Sequence, residues 1–376
     1  MKAAVATAAF HASMADFDAA AWNGLAGDSP FLRHEFLHAL EASGCACGET
    51  GWLPRHLAIG DPAHPLLVAP QYEKSHSWGE FVFDFAWARA WETRGLDYYP
   101  KLLLAVPFTP ATGPRLLCAA GDAAGRAALL DEGLEALRLD AARRGRSSVH
   151  ALFIDDELRE AAAARGWLLR RDCHFQWRNR GYRDFDDFLD GFSADKRKKT
   201  RRERRRIAEA GIELLFSTAD ALDDATLERV HALHAATFMR HGHLPYLNLD
   251  FFRRIAASLG GSMVTSLAWR GAELLAAAVF FRSRDTLYGR YWGAAEDVHS
   301  LHFECCYHQG IEYCIANGLA RFEPGTQGEH KLARGFEPTL TWSAHWIADE
   351  AMRGAVARHL EREAGAVEDY AIAAAR

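Results

Sequence analysis

The chain of 376 residues lacks the marks of several protein classes. Its seven cysteines form no C-x-x-C pair, and an odd number in a long chain favours free thiols in a reducing compartment. No apolar run approaches the roughly 18 residues that a membrane span requires. The N-terminal Ala3–Phe10 is weakly hydrophobic and is soon followed by Asp16, which argues against a secretory signal. These absences predict a cytoplasmic protein.

Motifs for metal or nucleophile chemistry are also missing. There is no H-E-x-x-H sequence, and the histidines do not recur with metal-ligand spacing. No G-x-S-x-G elbow is present for a serine hydrolase. Cys306 and Cys314 fall on an apolar stripe of the predicted helix His302–Asn317 and are therefore expected in the core. The sequence predicts no metal site and no serine or cysteine nucleophile.

Positive charge is concentrated in one segment, 193–210, which is predicted to be a helix. Lys196–Arg206 holds nine cations and one Glu, so its charge of +8 leaves −14 for the rest of a chain whose total is −6. No apolar residue interrupts that stretch, so we expect no buried stripe there. The helix is either solvated and neutralised by the acidic remainder or, as we favour, binds phosphates of RNA or of a nucleotide-linked substrate. The candidate phosphate-binding residues are Lys198, Arg201, Arg202, Arg205 and Arg206.

Strand and helix signals alternate in both halves of the chain. Each half shows a strand meander, a helix, a strand, a further helix and a strand. This order is typical of an α/β fold in which a mixed, mostly antiparallel sheet is flanked by helices. We predict two such domains, residues 1–178 and residues 179–376, the second containing the basic helix.

The segment Phe322–Phe336 is the best candidate for a site in the second domain. It follows a predicted strand and combines three glycines with many ionisable residues, and ligands of open α/β sheets bind at the carboxyl ends of strands. The alternative is a polar surface loop with a short helix. Candidate catalytic residues that could accept a proton from an amine are Glu323, Glu329 and His330. Candidate substrate-binding residues are Gln327, Lys331 and Arg334.

Polar residues of the first domain form a second candidate group. Lys74, His76, Ser77 and Glu80 follow a predicted strand, and they either bind an acidic substrate or form an ordinary polar turn. Two prolines and a glycine break the chain after the buried strand Lys101–Phe108. The further substrate-binding candidates around this strand are Tyr99, Lys101, Thr109 and Arg115.

The stretch Tyr288–Phe336 resembles the second half of the Fem-type aminoacyltransferases, which are tandem N-acetyltransferase-like (GNAT) proteins of peptidoglycan synthesis. Their pattern has a tyrosine-containing strand, here with Tyr291 as a substrate-binding candidate, a helix ending in Gly, and a strand carrying an acid. Their Phe-Lys-x-x-Phe-Gly-like motif is matched in part by Lys331–Phe336 (KLARGF).

Almost the whole chain is more similar still to a bacterial FemAB-like family of peptidoglycan biosynthesis or recognition proteins. The matching motifs are Pro30–Leu32, Lys74–Asp84, Tyr98–Lys101, Pro107–Arg115, His174–Trp177 and the basic helix. The resemblance implies two tandem GNAT-like domains that transfer an acyl or aminoacyl group to an amine, and a peptidoglycan precursor is the acceptor that it suggests. It implies an aminoacyl-tRNA or an acyl-CoA as the donor and no certain cofactor.

Two other functions stay open from the sequence. One is an acetyl-CoA-dependent N-acetyltransferase acting on a small molecule or peptide, although neither Thr109–Arg115 nor Gly293–Ser300 carries the Q/R-x-x-G-x-G/A pattern of a pyrophosphate-binding turn. The other is a non-catalytic protein that binds RNA or recognises peptidoglycan. Binding without acyl transfer to any amine would identify the second.

Overall fold

The computed structural model describes residues 8–119, 121–240, 242–326 and 328–375. The strands are β1 (Ala8–His11), β2 (Trp52–Pro54), β3 (His56–Asp61), β4 (His64–Ala69), β5 (Gln71–Lys74), β6 (Lys101–Leu104), β7 (Leu117–Cys118), β8 (Ser148–Leu152), β9 (Leu168–Arg178), β10 (Ile212–Thr218), β11 (Met263–Arg270), β12 (Glu273–Arg282), β13 (Thr286–Ala294), β14 (Arg321–Glu323) and β15 (Glu337–Ile347).

The α-helices are α1 (Ala19–Ala26), α2 (His34–Ala42), α3 (Phe85–Thr93), α4 (Ala123–Arg143), α5 (Asp156–Ala164), α6 (Phe185–Asp190), α7 (Ala194–Glu209), α8 (Asp224–Arg240), α9 (Leu249–Leu259), α10 (Leu301–Phe303), α11 (Gln309–Ala316) and α12 (Glu350–Ala374). The 3₁₀ helices are Met14–Asp16, Ala219–Ala221 and Glu329–Arg334, and a π-helical turn covers Glu304–His308. No helix in the described ranges is both long and apolar enough to cross a membrane.

The chain divides into two compact units that differ from the predicted domains at the C-terminus. The first unit runs to Cys173 and also contains Leu340–Ala374, and the second is His174–Thr339. The C-terminal segment was expected in the second domain. It belongs to the first unit because β15 pairs antiparallel with β8 and because α12 buries Met352 and its apolar neighbours against Trp87 and Trp91.

The first unit contains two sheets. One sheet has the strand order β1, β3, β4 and β7. The other has the order β15 (its C-terminal part), β8, β6, β5 and β2. The strand predicted before His76 is two strands, β4 and β5, which pair with β3 and β6 respectively. Pro70 separates them, since proline has no N–H to donate to a ladder. Helix α4, capped by Asp122, packs its leucines on the apolar core of this unit.

The second unit has one sheet in the order β10, β11, β12, β13, β14 and the C-terminal part of β9. Strand β13 pairs with β14 in parallel, and the other described neighbours pair antiparallel. The predicted helix His302–Asn317 is present, but the π-helical turn Glu304–His308 interrupts it. Such turns are frequent at functional sites. Both units therefore have the predicted mixed, mostly antiparallel sheets with helices.

The basic helix exists as α7, with Ser193 as its N-cap. The expectation that it buries no stripe is wrong, because Thr200, Glu203 and Ile207 are buried. These three side chains lie on one face at positions i, i+3 and i+7. A helix with only one apolar residue on its inner face is held in place because Arg204, on the same side, pairs with Glu304 and Glu312.

Candidate functional site

A cleft opens in the second unit where two parallel strands separate. Thr286–Tyr288 of β13 pair with Arg321–Glu323 of β14, after which β14 ends and β13 continues to Ala294. Residues 289–294 therefore pair with β12 on one edge and have no strand partner on the other edge within the described chain. The opening has a volume of about 120 Å³. Its lining includes Gly289, Tyr291, His302, Cys306, Tyr307 and Pro324.

The predicted loop lies beside this cleft. The 3₁₀ helix Glu329–Arg334 brings the ring of His330 to Tyr307, with Nε2 2.9 Å from the tyrosine oxygen. Lys331 is buried, and its Nζ donates to the carbonyl of Gly325 at 2.7 Å. Arg334 lies over the ring of Phe303 at 3.4 Å and donates to the carbonyl of His330. The loop is thus held against the helix that begins at the cleft.

Burial changes the protonation of this group. It lowers the pKa of Lys331 to about 7, with Cys306 acting weakly in the opposite direction. Partial burial lowers the pKa of His330, and the cations Lys331 and Arg334 lower it further, so the imidazole is neutral at physiological pH. Burial raises the pKa of Tyr307, which keeps its proton. The cleft therefore holds a neutral base hydrogen-bonded to a phenol, beside an amine that titrates near neutrality.

The sequence missed Tyr307 and His302 as site residues. Both lie in the predicted helix His302–Asn317, whose apolar stripe was expected in the core. The side chain of Tyr307 is indeed buried, yet Tyr307 lines the cleft and its hydroxyl meets His330. The signal available in the sequence was a histidine and a tyrosine in the first two turns of that helix.

The other residues predicted for this site are spread around the cleft. Glu323 ends β14 at the point of separation and accepts a hydrogen bond from Gln176 at 3.3 Å. Tyr291 lines the cleft and packs edge-on against His234. Glu329 is exposed. Gln327 lies outside the described residues. The structure therefore brings His330, Lys331, Arg334 and Tyr291 to one region.

The first unit has a second polar cluster, centred on the buried Lys101. Its Nζ donates to Ser77 at 2.9 Å and to Glu80 at 2.8 Å, and it also contacts Asp84. Tyr99 lies 2.8 Å from the Ser77 hydroxyl. Five of the predicted residues (Lys74, Ser77, Glu80, Tyr99 and Lys101) therefore come together here, with His76 next to Ser77 in the chain. Asp84, inside the quoted motif, was not singled out.

The cluster is charged and buried. Burial would lower the pKa of Lys101, but Asp84 and Glu80 raise it above its usual value. Burial would raise the pKa of Asp84, but Lys101 holds it below its usual range. Burial raises the pKa of Glu80 to about 7 and lowers that of Lys74 to about 7. Lys74 lies 3.9 Å from the ring centre of Trp52, so its ammonium faces the protein interior rather than a substrate.

Asp84 is also the end of a chain of hydrogen bonds that sequence reasoning did not detect. Tyr98 donates to Asp84 at 2.5 Å, and its oxygen is 3.1 Å from Nε2 of His150. His150 and His345 meet through their Nδ1 atoms at 2.6 Å. Burial lowers the pKa of His150 to about 3 and that of His345 as well, so both rings are neutral. Nε2 of His150 also lies 2.8 Å from the Ser148 hydroxyl, and Nε2 of His345 lies 2.9 Å from the Ser343 hydroxyl, so each ring has a polar partner on both nitrogens.

Two further candidate residues of the first unit form hydrogen bonds with backbone carbonyls close to them in the chain. The guanidinium of Arg115 is buried and donates to the carbonyls of Ala111, Gly113 and Pro114. The Thr109 hydroxyl donates to the carbonyl of Pro107. These contacts hold the Pro-rich turn in shape, which is a structural use of both side chains.

A wide cleft of about 720 Å³ opens above the Lys101 cluster. Ser77, Tyr98 and Tyr99 line it from the side of the cluster, and Trp78 and Phe85 contribute aromatic rings 5.3 Å apart. His76 also lines it, and partial burial lowers the pKa of its ring.

The five candidate phosphate-binding residues on α7 are all exposed. Arg201 forms an ion pair with Asp186 at 2.8 Å. Lys198, Arg202, Arg205 and Arg206 form no hydrogen bond or ion pair within the described chain. They fall at i, i+4, i+7 and i+8, so they share one face of the helix, opposite the buried one. We call these four residues the basic face.

No group of histidine, cysteine or carboxylate side chains in the described residues is arranged to hold a metal ion.

Comparison with solved structures shows the fold. FemX is 12% identical over 92% of this chain and 99% of its own, with a TM-score of 0.53. L-PGS from Bacillus licheniformis is 10% identical over 89% of this chain and 97% of its own, with a TM-score of 0.52. These likenesses confirm the predicted α/β fold.

No curated protein matches the chain in sequence. A protein family does: the FemAB-like family, described as peptidoglycan biosynthesis/recognition, matches residues 13–376. That match covers both units and both polar clusters. The chain therefore belongs to the FemAB-like family.

Proposed function

We propose that this protein is an N-acyltransferase that moves an acyl or aminoacyl group from an activated donor to a primary amine. The observation that carries the proposal is the cleft between β13 and β14, in which a backbone edge without a strand partner faces Tyr307 and the adjoining His330. Membership of the FemAB-like family and the GNAT-like fold are consistent with this reaction.

The groups at the cleft match the needs of amine acylation. A neutral amine attacks the acyl carbon, and the C–N bond forms while the carbonyl oxygen becomes an oxyanion. Backbone N–H groups of residues 289–294, where β13 has no strand partner on one edge within the described chain, are the donors for that oxyanion. His330, neutral through its lowered pKa, accepts the proton that the amine nitrogen loses.

Tyr307 completes the proton balance. When the intermediate collapses, the bond from the acyl carbon to the leaving oxygen or sulfur breaks, and Tyr307 gives its proton to that atom. His330 then returns the amine proton to Tyr307 across their 2.9 Å hydrogen bond. The raised pKa of the phenol suits this role, because Tyr307 enters every cycle protonated. Glu323 and Glu329 are not needed as bases in this scheme.

An aminoacyl-tRNA is the donor that we favour over an acyl-CoA. The basic face of α7 supplies four exposed cations that no acidic side chain of the described chain neutralises. From Lys198 to Arg206 these cations cover about 12 Å of the helix axis, so they can contact several phosphates of one nucleic-acid strand. The acceptor that the family description favours is a peptidoglycan precursor with a free amine.

Acyl transfer is tested directly with both donors. The full chain is incubated with radiolabelled aminoacyl-tRNA or acyl-CoA and an amine-bearing muropeptide, and amide formation is measured. We expect Tyr307→Phe and His330→Ala to lower kcat by roughly 10²-fold while changing KM little, since proton transfer contributes on that order.

His359→Ala in the first unit is the matched control, and it should retain the activity of the parent. Absence of transfer from both donors, or full activity of His330→Ala, contradicts the proposed reaction. Binding of tRNA or muropeptide without any amide product would instead support a non-catalytic recognition protein.

A further inference from the structure

We propose that the wide cleft of the first unit is a binding site for an organic ammonium ion. The ligand class is a primary amine with a small apolar part, held by aromatic rings and carboxylates. The proposal stands on the geometry of the first unit and not on the acyl-transfer chemistry of the second.

The charge of the cleft lining favours a cation. Glu92 and Asp97 are exposed carboxylates on its lining, and neither forms an ion pair within the described residues. Arg89 is the one permanent cation among the described lining residues. The lowered pKa of His76 leaves its ring neutral. The lining therefore has one negative charge in excess, which repels an anionic ligand and attracts a cationic one.

The aromatic residues supply the second half of the recognition. Trp78 is 53% exposed, and its ring lies 5.3 Å from that of Phe85. The faces of Trp and Tyr rings attract ammonium ions, and the attraction is strongest where water is excluded. The volume of about 720 Å³ falls within the range of small-molecule sites.

The buried Lys101 cluster lies beneath the cleft and contacts its lining through Ser77. Lys101 joins Ser77, which lines the cleft, to Glu80 and Asp84. Oε1 of Glu80 and Oδ1 of Asp84 accept no hydrogen bond within the described chain, although both side chains are at least nine-tenths buried. Because Lys101 and Lys74 offset these two carboxylates, the negative excess of the site comes from Glu92 and Asp97 on its lining.

A metal ion is the competing cation, and the described residues do not suit it. No group of three or more ligating side chains is close enough to coordinate one. Two exposed carboxylates among aromatic rings instead fit a ligand whose charge is spread over N–H groups and whose carbon atoms pack on ring faces.

Ligand binding to the full-length protein tests the site without any acyl donor. Benzylammonium is the probe, with benzyl alcohol and benzoate as neutral and anionic counterparts of similar size, and calorimetry measures the affinity. We expect benzylammonium to bind most tightly. Combined Glu92→Gln and Asp97→Asn substitution should weaken its binding at least tenfold, and Trp78→Ala should weaken it several-fold.

Combined Glu361→Gln and Asp369→Asn substitution is the matched control. It removes two exposed carboxylates of the same unit on α12 and should leave the affinity unchanged. All substituted positions are exposed, so the variants should fold, and circular dichroism verifies this. The proposal is overturned if the parent binds no benzylammonium, if benzoate binds as tightly, or if the double cleft variant keeps full affinity. Tyr307→Phe, which addresses the acyl-transfer reaction, should leave benzylammonium binding intact.

Discussion

The buried amine of Lys331 makes the stability of this protein depend on pH. The side chain is only 2% exposed, and burial lowers its pKa to about 7. In the unfolded chain a lysine keeps its proton up to a pH of about 10.5. Between these values the unfolded state binds more protons than the folded state, so the stability contribution of Lys331 rises with pH. Below pH 7 the fold bears the full cost of the buried charge.

We therefore predict that Lys331→Met changes the pH dependence of stability. The free energy of unfolding of the variant relative to the parent should fall by roughly 2 kcal/mol between pH 7 and pH 9, because only the parent gains stability by losing a proton in the folded state. Urea unfolding at both pH values measures the difference.

Lys199→Met on α7 is the control, because Lys199 is 66% exposed. The difference in free energy of unfolding between Lys199→Met and the parent should be the same at pH 7 and at pH 9. An unchanged difference for Lys331→Met as well would show that the Lys331 amine is hydrated in the folded protein.

At the scale of elements, α7 divides its cations between two uses. Arg204 pairs with Glu304 and Glu312, and Arg197 donates to the carbonyl of Phe192. The basic face, in contrast, makes no such contact within the described chain. A helix that places its unpaired cations on one side keeps like charges close together, which costs stability unless an anion binds there.

We predict that RNA binding depends on the basic face. Replacing Lys198, Arg202, Arg205 and Arg206 with Gln should reduce the slope of log affinity against log salt by about three, because each lost phosphate contact removes the release of nearly one counterion. Fluorescence anisotropy with a labelled tRNA at several salt concentrations measures the slope.

Combined Arg253→Gln and Arg254→Gln substitution removes exposed cations of α9 that pair with Asp224 and Asp250. This control should keep the slope of the parent. The phosphate-binding interpretation is wrong if the parent has no measurable affinity for RNA at low salt.

At the scale of the molecule, the C-terminal segment completes the first unit rather than the second. Strand β15 pairs with β8, and α12 buries Met352, Val356 and Leu360 in an aromatic cluster with Trp87 and Trp91. Burial of each aliphatic side chain contributes on the order of 1.5–3 kcal/mol, a large share of the stability of an ordinary domain.

A chain that ends at Thr339 should therefore lose the fold of its first unit. We expect limited proteolysis with mass spectrometry to show rapid cleavage within residues 8–173 and protection within the second unit. A chain that ends at Ala366 keeps the three buried aliphatic residues of α12 and should resist cleavage as the parent does. If residues 8–173 resist proteolysis equally in both truncated chains, the C-terminal segment is not needed for the fold of the first unit, which would agree with the predicted domain boundaries.

The sequence by itself determined the features that depend on local pattern and composition. The basic helix was predicted at residues 193–210 and is present as Ala194–Glu209. Lys74, Ser77, Glu80, Tyr99 and Lys101 were named as candidates from two separate motifs, and the structure brings them together because β5 pairs with β6.

Only the tertiary structure decided what depends on contacts distant in sequence. His150 and His345 are 195 positions apart, and nothing in their local sequence indicates that their rings meet. The cleft of the second unit exists because β13 continues beyond the residue at which β14 ends. Tyr307 lines this cleft because the helix that follows β13 begins beside it. The C-terminal strand β15 belongs to the first unit because it pairs with β8. Which strand pairs with which depends on the burial of side chains across the whole sheet, and no short sequence pattern contains that information.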